Sequence, residues 1–253
     1  VTQSANKPGQ PGIANPETDA AAEALRIARS PKLRARLAPY LPELPIFPLY
    51  KVQLFPSAVL PLYVFEPRYR AMTADCLTRG GIMAVASLRP GYGSAYAGRP
   101  PVRRIAGIGR IVAHRQNPDG TYNILLRGLA RVVICSELPE TPDCLYRKVR
   151  ARILADRWPQ DFDLQGARRT LIALTERLAS LVPHGGEALR ALCAGDLPSR
   201  RLCDVLSAAL VWPPKLRRRL LELRDLPARV DLLSAELARL CVKLQGGAGS
   251  GAN

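Results

Sequence analysis

The stretch at residues 43–70, ELPIFPLYKVQLFPSAVLPLYVFEPRYR, limits what this chain can fold into more than any other. Two β-prone apolar runs, residues 44–49 and 59–65, are punctuated by Pro45, Pro48, Pro56 and Pro61. Proline donates nothing to a β ladder, so this punctuation predicts edge strands and bends rather than a central strand. Leu54-Phe55-Pro56-Ser57 reads as the turn between the two runs. Glu66-Pro67 then opens a helix, with proline at the first helical position, where its missing N–H costs nothing. Tyr69, Met72, Cys76 and Leu77 recur at helical spacing toward a core, and Gly80-Gly81 closes the helix. Glu66 is a poor N-cap and is expected to pair with a nearby arginine or to complement the helix dipole.

The next hundred residues are written in strand periods. Residues 82–88, IMAVASL, are apolar on both faces and predict a buried strand. RPGYGSAYAGRPP follows, a glycine-loosened surface loop carrying Tyr92 and Tyr96. Residues 105–114 alternate loosely, and Gly107 and Gly109 suggest a bend or a close backbone approach. Asn117-Pro118-Asp119-Gly120 makes a hairpin turn. The return strand places Tyr122, Ile124 and Leu126 on one face, and Gly128 is expected to break it before a further strand at 131–135. Residues 147–155 alternate cleanly, with Val149, Ala151 and Ile153 inward and a basic row, Lys148, Arg150 and Arg152, outward.

Past Trp158-Pro159 the apolar period lengthens to that of a helix. Leu164, Ala167, Leu171, Leu174, Leu178 and Leu181 form one stripe, ending near Pro183-His184-Gly185-Gly186. A short helix at 187–193 follows, and Ser199 is expected to cap a segment containing Leu202, Val205, Leu206 and Leu210 that stops at Trp212-Pro213-Pro214. Helices at 215–223 and 227–244 complete a bundle, and the glycine-rich end, residues 246–253, reads as a flexible tail. At the other end, residues 1–16 are polar, carry three prolines and lack the apolar middle of a secretory signal, which predicts a disordered leader. Residues 16–37 predict a short helix or two packed loosely on the main body.

In order and spacing these segments resemble the substrate-recognition domain at the N-terminus of Lon proteases. Residues 43–70 supply apolar-Pro-Leu, a Phe-Pro turn, Leu-Pro-Leu and a Glu-Pro-Arg-Tyr helix start. Gly107-Ile-Gly-Arg-Ile-Val follows, then the Pro-Asp-Gly hairpin and an apolar strand ending in Gly128-Leu-Ala-Arg131-Val. The block KLRRRLLELRDLPARVDLLSAELARL resembles the helical half of long members of the family. The resemblance implies a non-catalytic module that recognises exposed or unfolded polypeptide for a protease acting elsewhere.

Charge allows a second class of partner. With 37 basic and 21 acidic residues the chain carries +16, of which +9 lies on residues 43–158. Such an excess attracts acidic polypeptide or nucleic acid. Only six of the basic residues are lysines, however, so a compositional preference for arginine accounts for it as well. RNA binding by the basic barrel is therefore kept as the alternative.

Several chemistries are missing from the sequence. No G-x-x-x-x-G-K-[ST] string is present to cradle a nucleotide, and the Gly246–Gly251 cluster has no lysine after it. The only histidines are His114 and His184; His184 and Cys193 could approach around a turn, but a solvated histidine and a core cysteine are the expected reading. The six cysteines contain no C-x-x-C pair, against a zinc site and against a disulfide framework, and imply a reduced, cytoplasmic setting. No apolar run approaches the length of a membrane span.

The expectation is an α+β chain, a free-standing recognition half of a protease with no catalytic residue, cofactor or metal. Residues 1–42 form the leader and short helix, 43–156 a β-rich, partly closed barrel of about six strands with one helix, 157–245 a C-terminal helical bundle, and 246–253 the tail. Tyr92, Tyr96, Arg103 and Arg104 are the candidate peptide-binding residues. Phe55, Tyr63 and Phe65 are at least as well suited to the core.

Overall fold

The computed structural model describes residues 31–91, 98–194 and 197–249. Helix α1 (Pro31–Leu37) and a 3-10 turn (Ala38–Glu43) lead into β1 (Leu44–Leu49). Then come β2 (Val59–Val64), α2 (Pro67–Thr78), β3 (Ile82–Ser87), β4 (Ile105–Gln116), β5 (Tyr122–Glu137) and β6 (Lys148–Ile153). The helices α3 (Leu164–Leu181), α4 (Gly186–Cys193), α5 (Ser199–Leu210), α6 (Pro214–Glu222) and α7 (Leu226–Gly249) follow, so α7 runs into the glycine-rich stretch expected as a tail.

Five strands close on themselves. β1 pairs parallel with β3, β3 antiparallel with β4, and β4 antiparallel with β5. β6 joins both β5 and β1, with Ile134 opposite Ala151 and Leu44 opposite Val149. β2 stays outside this ring. It pairs antiparallel with the first half of β5, from Val59 opposite Arg127 to Val64 opposite Tyr122, and ends the sheet. β5 thus serves β2 along its first half and β6 along its second.

That double duty corrects one expectation: Gly128 does not end the strand. β5 continues through a register shift opposite Ile108 and Gly109, leaving Leu129 as the extra residue of a β-bulge. The bulge lies where the segment after β1 crosses the strands. A Cβ on Gly107 would sit 1.9 Å from the Leu54 carbonyl oxygen, and one on Gly128 would sit 1.9 Å from that of Phe55. The Gly128 carbonyl accepts from the Ser57 N–H, and the Gly128 N–H donates to the Ala58 carbonyl. Gly107 and Gly128 are therefore glycine because another backbone lies against them. Lys51 and Ser57, with φ of 57° and 65°, hold the left-handed corners at either end of the crossing.

The crossing delivers two side chains in different directions. Leu54 joins a layer beneath α2 with Phe47, Tyr69, Met72, Met83 and Leu126, whereas Phe55, fully buried, belongs to the core of the helices with Leu171, Leu206 and Leu233. Burying a phenylalanine is worth roughly 1.5–3 kcal/mol, so Phe55 pins the barrel to the bundle. The barrel's own interior is filled by Ile46, Ala84, Ile108, Val132, Ile134 and Val149.

A buried charge cluster makes the second joint. On the outer wall of β5, Arg131 is ion-paired with Asp156 and donates to the carbonyls of Leu221 and Leu223. Asp156 also accepts from Arg229 of α7 at 3.0 Å and meets Arg200 of α5 at 3.4 Å. Arg229 lies 3.6 Å from Asp204, and all of these side chains except Arg200 are 2% exposed or less. Burial works against the Asp156 charge, but Arg229, Arg131 and Arg200 outweigh it and hold its pKa below the usual carboxylate range. Burial prevails at Asp204 and pushes its pKa up. Burial and the neighbouring Arg229 pull Arg131 down to about 10.

One helix cap differs from expectation. Ser199 does not cap α5; it is the first helical residue after Pro198, and its hydroxyl donates to the Leu164 carbonyl of α3. Asp163 is the N-cap of α3, accepting from the Gly166 N–H at 2.7 Å. Among the described residues no helix is long and apolar enough to cross a membrane.

Candidate functional site

Among the described residues, the outer face of β2, β5 and β4 is where the sheet leaves a group of large apolar side chains in solvent. The strand registers set these residues in rows. Val59 lies beside Arg127 and Arg110, Pro61 beside Leu125 and Ala113, and Tyr63 beside Asn123 and Arg115. Every residue of the three rows is exposed. Val59 is 48% exposed, Tyr63 55% and Leu125 41%, and Phe65, just past the strand, is 58% exposed. The rings of Tyr63 and Phe65 stack, with centroids 6.0 Å apart and planes at 28°. Such a patch on a folded chain marks a contact surface more often than a chance residue.

The framing charges are free. Arg110, Arg115 and Arg127 make no ion pair among the described residues, so the apolar rows sit inside an uncompensated basic border. A second concavity, about 610 Å³ between the 3-10 turn and the loop before β6, is floored by Tyr69 and Tyr146. Its charges are mutually spent: Lys148 lies 3.5 Å from Glu43, Arg147 pairs with Glu137, and Arg99 reaches both Glu137 and Glu140. Tyr146 donates to Asp75 at 2.9 Å, and burial followed by that bond pushes its pKa up. Internal pairing of this kind holds the groove's walls together and leaves little charge for a ligand.

Of the four candidate peptide-binding residues, Arg103 and Arg104 fall within the described residues. Tyr92 and Tyr96 lie outside the described residues. Arg103 is half-buried just before β4, where its N–H donates to the Ser87 carbonyl at 2.8 Å, and Arg104 is exposed. Arg150 and Arg152 of the β6 row are exposed, whereas Lys148 is drawn to Glu43. Glu66 accepts from Arg68 at 2.8 Å, the arginine partner expected for it. Phe55 is core, but Tyr63 and Phe65 are not. Both faces of the VLPLYVF run are apolar, so its sequence gives no indication that the odd-numbered residues of β2 face water. His114 and His184 are exposed, while Cys193 is buried and its thiol pKa is raised by burial, the opposite of an activated nucleophile.

Residues 43–239 match the family of the ATP-dependent protease La (LON) substrate-binding domain. The chain belongs to this family. Among its relatives, the Lon protease of Dictyoglomus thermophilum is 24% identical over 200 residues, covering 79% of this chain and 25% of that protein. The Lon protease of Anaeromyxobacter dehalogenans is 26% identical over 203 residues, covering 78% of this chain and 23% of that protein. The chain thus spans about a quarter of the length of the curated Lon proteases it matches. In fold it is similar to a Lon N-terminal domain protein from Xanthomonas campestris, with a TM-score of 0.55 and 23% identity over 76% of this chain and 97% of that one. The N-terminal domain of the Mycobacterium avium complex Lon protease aligns with a TM-score of 0.56 and 16% identity, over 78% of this chain and 98% of that one. In overall fold the chain thus matches Lon N-terminal domains.

Proposed function

We propose that this LON substrate-binding domain is a non-catalytic polypeptide-binding module that takes exposed apolar segments on the outer face of β2, β5 and β4. The exposed stack of Tyr63 on Phe65, beside Val59 and Leu125, carries the reading. A fully buried side chain of these types gains roughly 1.5–3 kcal/mol. Four of them supply at most roughly 6–12 kcal/mol, which is only of the order of the cost of association, roughly 4–15 kcal/mol. Weak, reversible capture follows, which suits a module that presents clients and releases them. The name of the matched family, a substrate-binding domain, agrees with this use.

Fluorescence anisotropy with a reduced, carboxymethylated model protein tests the reading. Binding of the unfolded form, none of its native form, and loss of binding in the double variant Tyr63→Ala/Phe65→Ala are expected. Affinity for the unfolded probe falls far less steeply with salt than the binding of a polyanion does. Failure of the wild type to bind any unfolded polypeptide, together with RNA binding whose affinity falls steeply in log–log terms with salt, refutes it.

A further inference from the structure

β2 offers a client more than its face. The Ala58 carbonyl accepts from Gly128 of β5, so the even-numbered residues of this strand turn their backbone toward β5. Pro61, which has no N–H, stands opposite Leu125 in the alternate, non-hydrogen-bonded phase of the ladder. The backbone groups of Val59, Pro61 and Tyr63 therefore point away from β5. β2 is the terminal strand of the sheet, and these groups have no backbone partner among the described residues. Val59 and Tyr63 each present an N–H and a carbonyl, and Pro61 presents a carbonyl alone. The same three residues carry their side chains on the exposed face.

We propose that the free edge of β2 accepts an extended client segment as an added strand, and that the arginine frame selects segments whose apolar middle is bounded by acidic residues. This rests on the polypeptide-binding reading above and adds how, and which, segments are held. Main-chain pairing is blind to side-chain identity, so one edge can serve many clients. The alternating side chains of the added strand continue the Val59–Pro61–Tyr63 row and meet Tyr63 and Phe65. Arg127 stands one strand inward of β2, level with Val59, and Arg110 and Arg115 two strands inward on β4, level with Val59 and Tyr63. None has an acidic partner among the described residues, so together they set a positive field over this face and its edge. Charge complementarity thus favours an acidic-flanked client over a second copy of this chain, which carries +16 itself. Pro61 leaves one gap in the ladder, which keeps the pairing reversible and protects the edge from permanent β association.

Labelled synthetic peptides of about ten residues, long enough to span the edge at roughly 3.4 Å per residue, provide the test on the whole chain. One peptide carries alternating apolar residues between acidic ends, one carries lysine ends, and a series carries a single N-methyl amide moved along the acidic-ended peptide. Binding of the N-methyl series alternates with position, since only every second amide faces β2; a flat series overturns strand addition. Tyr63→Ala loses the ring, while Tyr63→Pro loses the ring and the outward N–H without touching the β5 ladder. The proline variant binds a further three- to tenfold more weakly, the usual effect of one hydrogen bond. Equal affinity of the two variants overturns strand addition while leaving capture on the face intact. Acidic ends bind at least tenfold more tightly than lysine ends at low salt, and Arg127→Glu narrows the difference; equal binding of the two peptides overturns the charge selection. Absence of any peptide binding by the wild type refutes polypeptide capture itself, and a stable dimer lost in Tyr63→Pro makes the occupant a second copy. Circular dichroism melts confirm that the variants fold.

Discussion

Replacing Asp156 by alanine removes the shared acceptor of the joint between barrel and helices. Its carboxylate, 2% exposed, is the partner of Arg131, also 2% exposed, and of Arg229, which is fully buried. After the substitution Arg131 keeps only neutral acceptors, the carbonyls of Leu221 and Leu223, and Arg229 keeps Asp204 at 3.6 Å. A buried cation left without its counter-charge costs about 3–5 kcal/mol. For a domain of this size each kcal/mol lowers Tm by about 2–4 °C, so Asp156→Ala melts roughly 6–20 °C below wild type. Differential scanning calorimetry reads this directly. Arg200→Ala serves as the control, because Arg200 is 21% exposed and meets Asp156 at 3.4 Å from the solvent side of the cluster; it shifts Tm by a few degrees at most. A drop of less than about 3 °C for Asp156→Ala, or one no larger than that of Arg200→Ala, refutes the role given to this carboxylate.

The same carboxylate sets an acid limb. Its folded pKa lies below its unfolded value of about 3.9, so its contribution is complete above that pH and is lost as pH falls through the folded pKa. Urea midpoints measured from pH 6 downward show this loss beginning near pH 4 in the wild type, and a much shallower slope in Asp156→Asn. Gly128→Ala places a methyl on the Phe55 carbonyl and separates the bulge from the crossing segment. It costs more than about 3 kcal/mol or yields insoluble protein, whereas Gly246→Ala, with open space around it, has no such effect on solubility or Tm. Cys135, exposed on β5, reacts with an aromatic disulfide reagent in the native protein, while Cys76, whose thiol is pushed up to about 12 by burial, reacts only on unfolding.

The barrel was legible because its punctuation has local physical causes. Pro67 at a helix start, Gly80 and Gly81 with φ of 86° and 76° at its end, and the Asn117–Gly120 turn are each dictated by backbone chemistry within a few residues. Gly107 and Gly109 gave notice of a close approach, but not that Leu54 is what approaches. Gly128 was harder, since a glycine that ends a strand and one that bulges it look alike until the opposing strand is known. The buried cluster was invisible for a related reason. Arg131 and Asp156 belong to an arginine-rich stretch whose exposed members are chemically identical, and Arg229 is 73 residues from Asp156 in the chain. The binding face was hidden by composition: β2 is apolar at every position, and which alternate residues are buried depends on α2 and the crossing segment beneath it.

Where an unfolded client touches the protein decides whether the β2 face is its binding site. Hydrogen–deuterium exchange of the whole chain, with and without a saturating carboxymethylated model protein, locates that contact. New protection is expected over residues 59–65, with weaker effects across 110–115 and 122–127, and none over the groove at 138–148. Protection confined to that groove or to the helices, with residues 59–65 exchanging as in the free protein, contradicts binding on the β2 face.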